Sequence, residues 1–175
     1  METDIIQIIQ LLRKNASSEN PFQSLIPGSE SQLLECEWNK GADSEEISKL
    51  YEKNDWLFPE DYKIFLREHN GGILFQHAHY GGGTELLSLE KINIISGEYD
   101  NIPKHCYPIA WTDHIIGAIC IDSVKLKNGE DSYLFFLDAM ENMENAVWIP
   151  LDFTEWLHRL VLCQGQEFWN WNWKI

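Results

Sequence analysis

The stretch that decides the fold runs Leu57-Phe58-Pro59-Glu60-Asp61-Tyr62-Lys63-Ile64-Phe65-Leu66-Arg67-Glu68-His69-Asn70-Gly71-Gly72. It predicts one short helix over residues 59–69 with both ends marked. Pro59 suits the first helical position, where its missing N–H would have had no partner. Asn70-Gly71-Gly72 tolerates the left-handed backbone angles that end a helix. The apolar side chains recur at helical spacing, so one face should be buried: Tyr62, Phe65, Leu66 and His69.

The rest of the chain divides into helical ends and a strand-rich middle. The predicted strands are 73–79, 85–89, 108–112, 118–124, 133–137 and 148–149, with hairpin turns at 113–114 and 127–130. The predicted helices are 4–14, one that begins with Asp43 and Glu46 as a capping box, and one that begins at Asp152 or Thr154. Residues 15–31 read as a loop, and 32–38 fit either an edge strand or irregular structure. This order predicts an α+β fold, with a mainly antiparallel sheet packed against N-terminal and C-terminal helices.

Four segments together resemble the SUKH superfamily, which includes fungal Smi/Knr cell-wall-assembly regulators and many bacterial immunity proteins. They occur in the family's order: the helix above, Tyr107-Pro108-Ile109-Ala110-Trp111-Thr112-Asp113, Gly117-Ala118-Ile119-Cys120-Ile121-Asp122 and Phe153-Thr154-Glu155-Trp156-Leu157. Thr154 stands one place later than the family pattern has it. The resemblance covers about residues 45–163. It implies a single SUKH-like domain over 1–175, with a helical extension at 1–41 and a Trp-rich tail at 164–175.

Composition and charge limit the function classes. The 175 residues carry 28 acidic and 13 basic side chains, a formal net charge of −15. Nucleic acids and anionic membrane surfaces would be repelled, whereas a basic protein would be attracted. No apolar run is long enough to span a membrane, and the acidic start Met1-Glu2-Thr3-Asp4 is unlike a secretory signal. We therefore expect a cytoplasmic protein with four reduced cysteines.

Candidate catalytic or metal-binding patterns are weak. His77 and His79 fall on one face of a strand, but the sequence fixes no third ligand for zinc. Gly81-Gly82-Gly83 lacks the Gly-Lys-Ser/Thr ending of a phosphate-binding loop. His105 and Cys106 are neighbours, and neighbours in a strand point to opposite faces. The sequence therefore predicts no enzyme activity, no cofactor and no metal.

Two segments look like protein-binding surfaces. Asp138-Ala139-Met140-Glu141-Asn142-Met143-Glu144 follows an apolar strand and combines three carboxylates with two methionines, which suit adaptable contacts. In Phe168-Trp169-Asn170-Trp171-Asn172-Trp173 the tryptophans recur with the period of a half-buried strand. They could pack on their own domain or contact a partner. The candidate partner-binding residues are Asp113, Asp138, Met140, Glu141, Met143, Glu144, Trp169, Trp171 and Trp173.

The resemblance implies an immunity role, in which the protein neutralises a cognate bacterial toxin by direct binding. The partner would be a basic toxin domain, such as a nuclease, and a homodimer is a further expectation. Two alternatives stay open. One is a regulatory scaffold of the cell-wall-assembly type; the other is a small hydrolase or ligand-binding enzyme that uses a cleft between helices and sheet.

Overall fold

The computed structural model describes residues 2–24, 31–130 and 132–171, and their central feature is an antiparallel sheet in which eight strands follow one another in chain order. The strands are β1 (Phe22–Ser24), β2 (Gln32–Trp38), β3 (Gly72–His77), β4 (Thr84–Leu86), β5 (Cys106–Thr112), β6 (Gly117–Asp122), β7 (Leu134–Asp138) and β8 (Val147–Ile149). The helices are α1 (Glu2–Asn15), α2 (Ser44–Asn54), α3 (Glu60–Glu68), α4 (Leu89–Glu98), α5 (Ser123–Lys127) and α6 (Phe153–Leu162). Short 3-10 turns occur at Met143–Asn145 and Phe168–Asn170. The predicted α+β class is confirmed.

Helix α3 forms as its sequence predicts. Tyr62, Phe65 and Leu66 are completely buried. Pro59 stands just before the first helical residue, as the N-cap, and Gly71 takes a positive φ of 83° after the helix. A Cβ on Gly71 would lie 2.5 Å from the carbonyl oxygen of Leu86, so only glycine, which has no side chain, fits at this turn.

An aromatic cluster fixes α3 between the sheet and α6. The Tyr62 ring lies 4.9 Å from that of Phe153 at the start of α6, and the Phe58 ring lies 4.7 Å from that of Tyr107 in β5. Aromatic pairs at such distances add to the free energy gained by burying their area. Helix α1 completes this layer by burying Ile5, Ile9 and Leu12.

A buried carboxylate joins α3 to α6. The Asp61 carboxylate accepts hydrogen bonds from the backbone N–H and the hydroxyl of Thr154, both at 2.9 Å. It also accepts the backbone N–H of Tyr62 at 2.9 Å. Two of the segments that carry the family resemblance therefore meet at one side chain.

The C-terminal end of α3 is held by His69, which is 6% exposed. Its Nδ1–H donates to the Asn39 carbonyl at 2.8 Å, which leaves Nε2 to accept from the Arg13 guanidinium of α1. Burial is the main cause that lowers the pKa of His69, so the ring stays neutral in this role.

The opposite face of β5–β7 carries a second, smaller core. Alternate residues of β6 serve the two sides, so Ile119 and Ile121 face the helices while Ala118 and Cys120 face this core. Its buried members are Ile102, Cys106, Ala118, Cys120, Phe135 and Leu137. Both faces of these strands are thus covered, which explains why their sequences do not alternate.

Several predicted boundaries were wrong. The expected loop at 15–31 contains β1, and β2 is an interior strand because β1 and β3 pair on either side of it. The strand predicted to 124 ends at Asp122, whose carboxylate caps α5 through the N–H groups of Val124 and Lys125. The β6–β7 connection is therefore a helical turn rather than a tight hairpin turn at 127–130. The strand propensity of the apolar residues at 118–124 predicted a longer strand, but the Asp122 cap and tertiary packing favour a helix from Ser123.

The Asp61 carboxylate should make stability depend on pH in a defined direction. Burial raises its pKa above the usual 3.8, and the bonds from Thr154 and Tyr62 oppose that shift only in part. The folded protein then binds this proton more tightly than the unfolded chain. The stabilising contribution is complete below pH 3.8 and is lost as the pH rises through the raised pKa.

The measurement is the free energy of urea unfolding against pH for the natural protein and for Asp61→Asn, which cannot ionise. The free energy of unfolding of the natural protein, minus that of the variant, should fall as the pH rises from 3.8 through the raised pKa. Above that pKa the difference should become constant. A difference that rises with pH over this window would contradict the account.

Candidate partner-binding surface

Four connections gather at one end of the sheet. Because Thr84 pairs with Thr112, Thr112 with Gly117 and Gly117 with Asp138, the loops that adjoin these residues lie side by side. We call the set the acidic loop end; it comprises residues 78–83, 113–116, 139–146 and 164–167. The predicted candidates Asp113, Met140, Glu141, Met143 and Glu144 lie within it, and Asp138 adjoins it as the last residue of β7.

Hydrogen bonds tie these connections to one another. The backbone N–H of Ala139 donates to the Ile116 carbonyl at 2.9 Å. The N–H of Ile115 donates to the Glu167 carboxylate at 3.2 Å, and Glu167 also accepts the Asn170 side-chain amide at 2.9 Å. The acidic loop end is thus a braced surface, in which the segment after α6 supports the β5–β6 turn.

The β7–β8 connection has its own braces. The Asp138 carboxylate accepts the backbone N–H of Met140 at 2.8 Å, and the Glu141 carboxylate accepts the Asn145 amide at 2.6 Å. From outside the loop, the Asn101 amide donates to the Glu141 carbonyl at 2.9 Å and lies 3.4 Å from the carbonyls of Asp138 and Ala139. These bonds fix the loop in a conformation that leaves Met140 92% exposed to solvent.

Two of the candidate partner-binding residues, Trp169 and Met143, pack within the domain. Trp169 is 8% exposed and packs on Trp156 and Phe136, with ring centroids 5.9 and 6.2 Å away. Met143 is partly buried against the second core. The predicted strand with period two is wrong for the described part of the tail, because Phe168–Asn170 form a 3-10 turn. Trp171 is 45% exposed, and Trp173 lies outside the described residues.

The structure adds apolar residues that sequence reasoning missed. Tyr80 is 88% exposed and Ile116 is 60% exposed, each in a different connection of the acidic loop end, and Ile115 beside Ile116 is partly exposed. The available signal was position. Tyr80 stands between the predicted strand 73–79 and Gly81, and Ile116 stands between the predicted turn 113–114 and the predicted strand from 118. Their shared position, beside the predicted Met140, makes this end the candidate surface.

The charge at this end is one-sided. The four connections contain Asp113, Glu141, Glu144 and Glu167 and no lysine or arginine. Of the carboxylates, Asp113, Glu141 and Glu144 are exposed. The surface therefore combines apolar side chains with uncompensated negative charge.

A polar cleft of about 190 Å³ opens between the loops, and two of its ionisable side chains, His77 and Glu167, are hydrogen-bonded within the protein. The Nδ1 atom of His77 accepts the backbone N–H groups of His79 and Tyr80 at 3.1 and 3.3 Å. Glu167, also in its wall, supports the β5–β6 turn as described above. Both side chains therefore stabilise loops, and a third lining group, His114, is at the exposed turn.

Comparison with known proteins defines the class. Residues 41–159 match the SMI1 / KNR4 family (SUKH-1), so the chain belongs to this family. The resemblance drawn from the four segments is thereby confirmed. The N-terminal helix α1 and the tail after α6 lie outside the matched range.

Two Bacillus subtilis (strain 168) proteins are similar to this chain. One, "Uncharacterized protein YnaB", is 36% identical over 131 residues, which cover 75% of this chain and 84% of that protein. The other, "Uncharacterized protein YobM", is 28% identical over 132 residues, which cover 72% and 69%. Within the described residues, every helix is too short or too polar to cross a membrane.

The Asn101 brace can be tested directly. Asn101→Ala removes the amide that donates to the 138–141 carbonyls, so amide hydrogen exchange in residues 139–146 should quicken. The melting temperature should change little, because Asn101 lies at the surface of the second core. Asn93→Ala, a change of an exposed asparagine on α4, is the matched control. Unchanged exchange in 139–146 would show that the loop holds its conformation without Asn101.

Proposed function

We propose that this protein is a non-enzymatic immunity protein that neutralises a cognate bacterial toxin by direct binding through the acidic loop end. The observation that carries the proposal is the composition of that surface. Exposed Tyr80, Ile116 and Met140 stand beside exposed carboxylates, and lysine and arginine are absent from all four connections. Membership of the SMI1 / KNR4 (SUKH-1) family supports a binding domain of this type.

The charge selects the chemistry of the partner. A net charge of −15 attracts a basic surface and raises the rate of encounter. Enzymes that cleave nucleic acids need a basic surface to hold phosphates, so docking there would block their substrate. We therefore propose a basic toxin domain, with a nuclease as the clearest example, met in the cytoplasm, where the four cysteines stay reduced.

The braced loops suit a tight complex. A loop that is already ordered loses less conformational entropy on binding than a mobile one. The bonds from Asn101 and Glu167 hold the exposed apolar groups in place before the partner arrives. The apolar side chains would then govern the dissociation rate, while the carboxylates govern the association rate.

The test uses the product of the gene encoded beside this one, when that gene encodes a toxin. Asp138→Asn, Glu141→Gln and Glu144→Gln together remove three charges while keeping side-chain oxygens for the loop's own bonds. Association should slow by roughly two- to tenfold and become less sensitive to salt. The growth rescue by co-expression should weaken in parallel.

The matched control removes the same number of charges elsewhere. The control variant combines Glu45→Gln, Glu52→Gln and Glu90→Gln. These exposed glutamates lie on α2 and α4, at the end of the sheet opposite the acidic loop end. The control should change association less than the loop variant. Equal effects would mean that net charge acts without a localised surface. No binding by the natural protein would reject the immunity role and favour the regulatory scaffold.

A further inference from the structure

Three metal-ligating side chains converge at the end of the sheet opposite the acidic loop end. His105 precedes β5, Cys106 opens β5 and Asp122 closes β6. One donor atom from each lies within 4.8 Å of the other two. Sequence reasoning dismissed the neighbours His105 and Cys106 because adjacent strand residues diverge; His105 stands before the strand begins, so that rule does not apply to it.

The Asp122 side chain is 9% exposed, and its two carboxylate oxygens differ in their contacts. Oδ1 accepts the N–H groups of Val124 and Lys125 at 2.9 and 3.0 Å. Oδ2 faces the Nε2 atom of His105 at 3.8 Å, which is too long for a hydrogen bond. Among the described residues, no lysine or arginine forms an ion pair with it. A buried carboxylate oxygen with so little compensation favours a cation.

The backbone holds the three side chains in position. Cys106 and Asp122 are paired partners across β5 and β6. The N–H of Ser123 donates to the His105 carbonyl at 3.0 Å, and the N–H of Cys106 donates to the Pro103 carbonyl at 2.8 Å. Cys106 is 1% exposed, whereas the His105 side chain is 49% exposed. The site is therefore closed on the sulfur side and open to water on the imidazole side.

We propose that His105, Cys106 and Asp122 bind one Zn²⁺ ion, with a water molecule as the fourth ligand. Sulfur, imidazole nitrogen and carboxylate oxygen are the three ligand types that zinc takes in proteins. Zinc bonds of about 2.0–2.3 Å place the donor atoms of tetrahedral ligands roughly 3.3–3.8 Å apart. The donor atoms of His105, Cys106 and Asp122 lie within 4.8 Å of one another, so they need to move only slightly closer.

Binding releases one proton, and the two positive charges of Zn²⁺ are then balanced by the Cys106 thiolate and the Asp122 carboxylate. Burial and the nearby Asp122 charge raise the pKa of the Cys106 thiol to about 12, so the sulfur is protonated without metal. Zn²⁺ displaces this proton into water as the sulfur–zinc bond forms, His105 binds as the neutral ring and Asp122 as the carboxylate. The ion would link the start of β5 to the end of β6 and the first turn of α5.

The competing arrangement is an ion pair between protonated His105 and Asp122 with no metal. The two differ in the part played by sulfur. In the metal site the Cys106 sulfur is a ligand, whereas the ion pair between His105 and Asp122 does not involve Cys106. Spectroscopy of the sulfur–metal bond therefore decides between them.

The experiment titrates tag-free protein with Co²⁺, a spectroscopically visible substitute for Zn²⁺, and then with Zn²⁺. The natural protein should show a sulfur-to-cobalt charge-transfer band that saturates at one ion per chain and is displaced by Zn²⁺. Zn²⁺ should also raise the melting temperature, because an ion that binds only the folded state stabilises it. Cys106→Ser should lose the band.

Because Cys106 is buried, His105→Ala supplies the decisive second variant: its exposed ring can be removed without disturbing the core. It should weaken Co²⁺ affinity by more than about tenfold, the loss that removal of even an outer-shell partner causes. Cys163→Ser and the His77→Ala/His79→Ala pair should leave the band unchanged. A folded natural protein without the band, or binding that is indifferent to His105→Ala, would overturn the proposal.

Discussion

The buried Asp61 carboxylate is the interaction on which the architecture depends. It fixes the start of α3 to the start of α6 through two hydrogen bonds from Thr154. Those helices carry the rings of Tyr62, Phe65 and Phe153, which fill the space above the sheet. A buried carboxylate is unfavourable unless its hydrogen bonds are made, so this contact admits one relative placement of the two helices. The apolar cluster supplies the stability, and Asp61 specifies the arrangement.

With the helices fixed on one face, the two ends of the sheet become different. One end is the acidic loop end, where loops rather than α-helices join the strands. The opposite end leads into α2, α4 and α5, and it contains the His105, Cys106 and Asp122 cluster. Exposed Tyr80, Ile116 and Met140 and exposed carboxylates share the first end, while the buried Asp122 cap of α5 lies at the second. A protein built in this way can vary the loops of the acidic loop end without changing its core.

The sequence predicted the parts of the fold that local chemistry determines. Helix α3 has an apolar stripe and marked ends, the Asp43–Glu46 pair begins α2, and Asp152 caps α6 through the N–H of Glu155 at 2.7 Å. Each signal lies within a few residues. Strand β1 was missed because its three residues are ordered by pairing with β2, a contact that no local pattern records.

The candidate surface was predicted only in part for the same reason. Met140, Glu141 and Glu144 could be placed in an exposed connection because an apolar strand precedes them. Tyr80 and Ile116 could not be joined to them, since only the register of β3 through β7 brings these turns to one end. Trp169 packs on its own domain, an alternative that the sequence left open beside partner contact. The predicted strand was wrong, because the chain turns at Phe168–Asn170 and places this ring beside Trp156.

The most direct test of the proposed binding surface is hydrogen exchange of this protein alone and in complex with the proposed partner, a basic toxin domain encoded by a neighbouring gene. The amides of residues 78–83, 113–116 and 139–146 should exchange more slowly in the complex, while those of α2 and α4 should keep their rates. This result would place the partner on the acidic loop end. Protection confined to α2, α4 or the outer edge of β1 would contradict it and move the binding surface elsewhere on the protein.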